Sequence, residues 1–151
     1  MKYINIKEYI KNSDSKMLKR IPGFAVKIIE RIVRQEEINR LINDYSEYQG
    51  PEFLGKVLED LNIKIDFSGL ENLPETGKCF FVANHPFGLM DSMILNSTIG
   101  KHYGEIKSIG NEVFNFIPNL SNLIVSVNVF GKNSREAILE LNKVYHSELP
   151  I

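Results

Sequence analysis

The sequence predicts an α/β domain, with a mostly parallel central sheet flanked by helices and an N-terminal helical preface. Three observations carry this. Apolar residues recur at helical spacing up to residue 61, then switch to strict alternation over residues 63–67. A continuous apolar run, Cys79-Phe80-Phe81-Val82-Ala83, follows, the pattern of a central strand covered on both faces. Beyond it, helical and strand-like patterns alternate to the last helix.

In chain order, residues 1–20 are a polar, basic N-terminal segment, and residues 21–151 form the domain proper. Pro22 opens a long helical pattern, as proline does in a first turn. Val26, Ile28, Ile29, Ile32, Val33, Ile38, Leu41, Ile42 and Tyr45 make its apolar stripe, and Lys27, Glu30, Arg31, Arg34, Gln35 and Glu37 its wet face. Gly50-Pro51 closes it. A shorter helix over residues 52–61 puts Phe53, Leu54, Val57, Leu58 and Leu61 on one side. The strand over 63–67 alternates Ile63, Ile65 and Phe67 with Lys64 and Asp66, and residues 69–77, with Pro74, form a turn region. A helix follows Asp91, carrying Met93, Ile94, Leu95 and Ile99, with Gly100 near its end. Residues 106–110 predict a short strand, 114–123 irregular structure and 124–130 another strand. The last helix starts near Asn133, a candidate N-cap with Glu136 three residues on.

Composition excludes several classes of function. At 151 residues with 43% hydrophobic and 25% charged, the chain has the make-up of one globular domain with a real core. A net charge of −1, with cations and acids mixed, offers no field for nucleic acid. One cysteine rules out a disulfide framework and a Cys-rich zinc site, and suits a reducing compartment. Cys79 reads as a small buried hydrophobe. His102 and His146 are scattered, so no metal is expected. The N-terminus does not read as a signal peptide, and no stretch of 18 apolar residues occurs, so membrane contact is expected to be peripheral.

One block carries candidate chemistry: the apolar run delivers Asn84-His85 to a strand end, and Asp91 follows at a helix start. In open α/β sheets, sites gather at the carboxyl ends of strands. Pro86 and Gly88 favour a sharp turn that folds Asp91 back toward the imidazole. An Asp that accepts from Nδ1–H leaves Nε2 as a base for a hydroxyl or amine attacking an acyl carbon. Backbone N–H groups at the helix start add anion stabilisation. The plainer alternative stands beside this: Asp91 as an ordinary helix cap and His85 as a structural histidine.

The stretch from Phe81 to Asp91, Phe-Val-Ala-Asn-His-Pro-Phe-Gly-Leu-Met-Asp, resembles the first motif of the glycerolipid (lysophospholipid) acyltransferase superfamily, typified by 1-acylglycerol-3-phosphate acyltransferases. The resemblance implies His85 as general base and Asp91 as its orienting partner, with Asn84 and Gly88 in the substrate-binding set. Five residues separate His85 from Asp91 where the family usually has four. The longer spacing is similar to the hemolysin-like branch of bacterial acyltransferases, which includes ornithine- and glycine-lipid enzymes. The family's second motif places an Arg at a strand end. Here the strand over 124–130 has none; Asn128, Lys132 and Arg135 stand in the neighbourhood. Lys132 and Arg135 either meet a headgroup or carboxylate or are solvated residues at a helix start. The third motif, a Pro-Glu-Gly loop, is absent, so the resemblance implies a truncated, weakly active domain that could self-associate.

That resemblance implies an acyltransferase of phospholipid or aminolipid synthesis, cytoplasmic and peripheral on the inner face of the cell membrane. A fatty acyl group would pass from an acyl carrier protein or coenzyme A thioester to a hydroxyl or amine of a lipid-like acceptor, with no metal or redox cofactor. The alternative is a non-catalytic membrane-associated binding protein on a degenerate acyltransferase fold. An acyl hydrolase would want a Gly-x-Ser-x-Gly elbow, which is missing. Two fates are open to the N-terminal amphipathic stretch. Residues 15–26 have the basic and apolar interleaving of a bilayer surface element, including Lys16, Lys19 and Arg20, whereas the stripe from Ile28 to Tyr45 is expected to pack into the core.

Overall fold

The helical periodicity after Pro22 folds as two helices rather than one, in a computed structural model that describes residues 2–13, 17–76, 78–84, 86–128 and 131–151. The chain forms two compact units, Met1–Ser46 and Glu47–Ile151.

In the first unit, α1 (Ile6–Asn12) is capped by Asn5, whose side chain accepts from the Glu8 N–H, and it buries Ile10. From the sequence this segment is expected only as a polar, basic stretch. Next come α2 (Gly23–Ile32) and α3 (Gln35–Asp44). Between them Arg34 adopts left-handed backbone, φ 55° and ψ 42°, which interrupts the helix. A break this short keeps the apolar period nearly in phase, so periodicity alone cannot reveal it. Gln35, expected on the wet face, is buried, and so is Asn39. Asn39 Oδ1 accepts from the Tyr3 and Ile4 N–H groups at 2.6 and 2.9 Å, and its Nδ2 donates to Ile4 O at 2.8 Å. Gln35 Oε1 accepts from the Ile6 N–H at 2.7 Å. Two buried amides thus tie residues 3–6 to α3 and satisfy backbone groups that would otherwise be stranded.

In the second unit, α4 (Gly50–Asp60) and α5 (Leu89–Tyr103) pack face to face. Phe53, Leu54, Val57 and Leu58 of α4 are buried, as are Met93 and Ile99 of α5. Gly100 sits hard against α4: a Cβ there would lie 2.2 Å from Pro51 Cβ. Gly100 is therefore a packing residue inside α5 and not its terminator; the helix ends at Gly104, with φ 85°. Residues 63–67 form no strand but keep their alternation, with Ile63 and Ile65 half-buried and Lys64 and Asp66 exposed. Among the described residues they join no ladder.

The sheet pairs β1 (Ser108–Asn111) with β2 (Ile124–Val127) in parallel, Ser108 opposite Ile124. Val125 is buried, and α6 (Arg135–Tyr145) packs on β2. The α/β class, with parallel pairing and flanking helices, is as the sequence predicts. The run over residues 79–83 is less regular than expected. Ile151 N–H donates to Cys79 O at 3.0 Å, and Phe81 N–H donates to Ile151 O at 2.7 Å, the pairing of a parallel bridge. On the other side of these terminal residues, Lys107 N–H donates to Pro150 O at 2.9 Å. Burial on both faces is corrected: Phe80 is 62% and Val82 92% exposed. An unbroken apolar run reports composition, whereas coverage of each face depends on neighbours. Here Phe81 lies against Tyr103 of α5 and Phe80 against Tyr145 of α6, each with ring centroids 5.8 Å apart.

Cys79 is half-buried rather than enclosed. Burial, and then the neighbouring Cys79 thiol, raise the Tyr103 hydroxyl above its ordinary pKa, and that hydroxyl donates to Pro74 O at 2.6 Å. The last helix is capped by Ser134, whose hydroxyl accepts from the Ala137 N–H at 3.1 Å, and not by Asn133. The end of the strand expected over 124–130 lies outside the described residues.

Candidate active site

The expected site block begins where the run over 79–83 ends. Asn84 is exposed, and His85 lies outside the described residues. Pro86, Phe87 and Gly88 form a turn into α5. Gly88 has φ 63° and ψ −121°, a backbone state that glycine adopts without a Cβ clash and other residues resist. The space around it is open, with nothing within 4 Å of a built Cβ. The glycine is thus needed for conformation, not close packing, and its small size leaves the helix start accessible.

Asp91 sits in the first turn of α5. Its Oδ2 accepts from the Phe87 N–H at 2.7 Å. The carboxylate therefore reaches back over the turn and closes the loop that carries residues 87–91. A bond from a backbone N–H to a carboxylate is charge-assisted, and the helix N-terminus favours an anion there. The capping role weighed from the sequence is real, in the form of a backward clasp. It does not exhaust the group, because a carboxylate has two oxygens with about four acceptor sites.

The second candidate cluster follows β2. Asn133 Oδ1 accepts from the Asn128 N–H at 2.7 Å, closing the loop that holds Lys132. Lys132 and Arg135 are both exposed. Ser126 Oγ bonds Asn115 Oδ1, tying β2 to the turn that follows β1. β1 and β2 run parallel, and the run over 79–81 pairs in parallel with the terminal Ile151. Asn84, Asp91, Lys132 and Arg135 thus belong to loops or helix starts beyond carboxyl ends of sheet elements.

Sequence patterning did not show a separate groove of about 950 Å³ in the second unit. Ile63, Ile65, Phe67, Leu70 and Leu73 line one side, and α4 with the C-terminal half of α5 lines the other. Among the described residues, none of Asn84, Gly88, Asp91, Lys132 and Arg135 lines it. The alternation over 63–67 was its signal: one side of that segment faces apolar space.

A family model described as acyltransferase matches residues 9–151. The chain belongs to this acyltransferase family. Within it, the chain is 38% identical over 134 residues to a lyso-glycine lipid O-acyltransferase of Phocaeicola vulgatus, covering 88% of this chain and 48% of that protein. It is 34% identical over 134 residues to a lyso-glycine lipid O-acyltransferase of Bacteroides thetaiotaomicron, covering 88% of this chain and 49% of that protein. The chain thus spans about half the length of the curated relatives it matches. No solved structure matches it. The family is the one that the Asn84–Asp91 block resembles, and glycine-lipid enzymes are among the relatives.

Proposed function

We propose that the protein is an O-acyltransferase of aminolipid synthesis, moving a fatty acyl group from a thioester donor to the hydroxyl of a lyso-glycine lipid. The carrying observation is Asp91 folded back over the Pro86–Gly88 turn, with its Oδ2 on the Phe87 N–H. The clasp sets the path of the turn over residues 86–88, and in this reading Asp91 Oδ1 accepts from the His85 imidazole. Both curated relatives bear the lyso-glycine lipid name, which supports the acceptor class.

In this reading His85 takes the proton of the acceptor hydroxyl as its oxygen attacks the thioester carbonyl carbon. The carbon–sulfur bond then breaks, the thiolate of coenzyme A or acyl carrier protein leaves with the proton returned by His85, and an ester remains. No covalent enzyme intermediate is needed. Asp91 holds the imidazole tautomer and stabilises its charged form. Gly88 and the α5 start face the developing oxyanion, Asn84 borders the acceptor, and Lys132 and Arg135 attract the acidic headgroup. The protein works at the cytoplasmic face of the membrane, where lipid acceptor and thioester donor meet.

The test separates clasp from chemistry. In Asp91→Asn the amide oxygen can still accept from the Phe87 N–H, so thermal unfolding should be nearly unchanged, but an amide N–H₂ would face the imidazole. Acyl transfer from acyl-coenzyme A and from acyl carrier protein to lyso-glycine lipid should fall by roughly 10²–10⁴ for His85→Ala, with a severe loss for Asp91→Asn. Near-normal turnover by His85→Ala would refute the mechanism.

A further inference from the structure

Helix α2 turns large apolar side chains outward. Phe24 is 71%, Ile28 53% and Ile32 74% exposed. They stand four residues apart, which aligns them on one helical face. The buried residue of this helix is Val26, on another side. Met17 and Val33, before and after the helix, are exposed as well. A helix of a soluble domain ordinarily turns its large apolar residues inward, and a contiguous exposed patch of this kind marks an interaction surface.

The charge around the stripe identifies the partner. From Met17 to Arg34 the cations are Lys19, Arg20, Lys27, Arg31 and Arg34, and the only acid is Glu30. Five cations less one acid gives +4, in a chain whose net charge is −1. Lys27 and Arg31 follow Phe24 and Ile28 by three residues and so border the stripe. Among the described residues, Lys19, Arg20, Lys27 and Arg31 make no ion pair. Long cationic side chains beside an outward apolar face suit a surface that is apolar within and anionic at its rim.

We infer that α2 docks the protein on an anionic bilayer: Phe24, Ile28 and Ile32 enter the headgroup boundary, and Lys19, Arg20, Lys27 and Arg31 meet lipid phosphates. This differs from the sequence expectation, which gave the bilayer to residues 15–26 and the core to Ile28 and beyond; the outward stripe runs on to Ile32. The inference deepens the proposed function, since a bilayer is where a lipid acceptor would be met, but its test reads binding and not turnover.

The experiment is co-sedimentation of the protein with vesicles of phosphatidylcholine, alone or mixed with phosphatidylglycerol. Binding to the mixed vesicles should exceed binding to the neutral ones by about tenfold or more at low salt and fall as salt rises. The triple variant Phe24→Ser, Ile28→Ser, Ile32→Ser should lose about tenfold or more of that binding while keeping its thermal unfolding, because the three residues are exposed. Lys27→Glu with Arg31→Glu should remove the preference for the anionic vesicles. Triple-variant binding equal to the parent overturns the inference. So does a stripe that mediates only self-association, seen as a dimer that the triple variant abolishes without vesicle binding in the parent. Vesicle binding with no acyl transfer to lyso-glycine lipid would sink the proposed function and leave this inference standing; turnover on detergent-dispersed acceptor without vesicle binding would do the reverse.

Discussion

Helices α2 and α4 have comparable apolar content and opposite fates. In α4, Phe53, Leu54, Val57 and Leu58 are all buried, between 4% and 6% exposed. In α2, Phe24, Ile28 and Ile32 are between 53% and 74% exposed, and Val26 alone is buried. The difference lies with the neighbours. Across from α4 runs α5, and Gly100 gives up its side chain so that Pro51 can approach. Apolar residues occupy two sides of α2, and its cations border the outward one. Amphipathicity says that a helix has an apolar face; the neighbour that removes water from that face decides where it points.

Three stability measurements probe the contrast between α2 and α4. The largest effect is expected from Phe53→Ala, at about 3–5 kcal/mol, the range for emptying a buried aromatic site. Urea unfolding reads it, and a loss below about 1 kcal/mol would mean that α4 is not the buried helix described here. Gly100→Ala comes next. In an exposed helix interior this change stabilises by about 1 kcal/mol, but here the new Cβ would run into Pro51, so a loss of about 1–3 kcal/mol is expected. A stabilising result in the same unfolding assay would show that the α4–α5 approach is looser than it looks. The smallest effect belongs to α2: Ile28→Ser should stay within about 0.5 kcal/mol, as exposed substitutions do. A drop comparable to that of Phe53→Ala would show that the stripe is core after all.

The site was legible in the sequence because it is local. Pro86, Gly88 and Asp91 lie within one turn of chain, and their spacing alone implies that Asp91 folds back; the bond to the Phe87 N–H shows it doing so. His85 lies outside the described residues, and its pairing with Asp91 stays with the proposed mechanism. The cap of α6 shows the opposite case. Asn133 and Ser134 are both good N-caps, and the choice fell to Ser134 because Asn133 was drawn to the Asn128 N–H across its loop.

Legible along the chain are the α/β class, the helices α4, α5 and α6, the strands β1 and β2 to within a few residues, and the Asn84–Asp91 block. Each is a statement about period or short-range spacing, and such patterns are written along the chain. Tertiary structure decided which faces are covered. It buried Gln35 and Asn39 because the backbone of residues 3–6 needed their amide groups. It exposed Phe80 and Val82 despite their apolar run, and it turned Phe24, Ile28 and Ile32 of α2 outward. Burial is a property of pairs of surfaces, and the second surface of each pair is set by the fold.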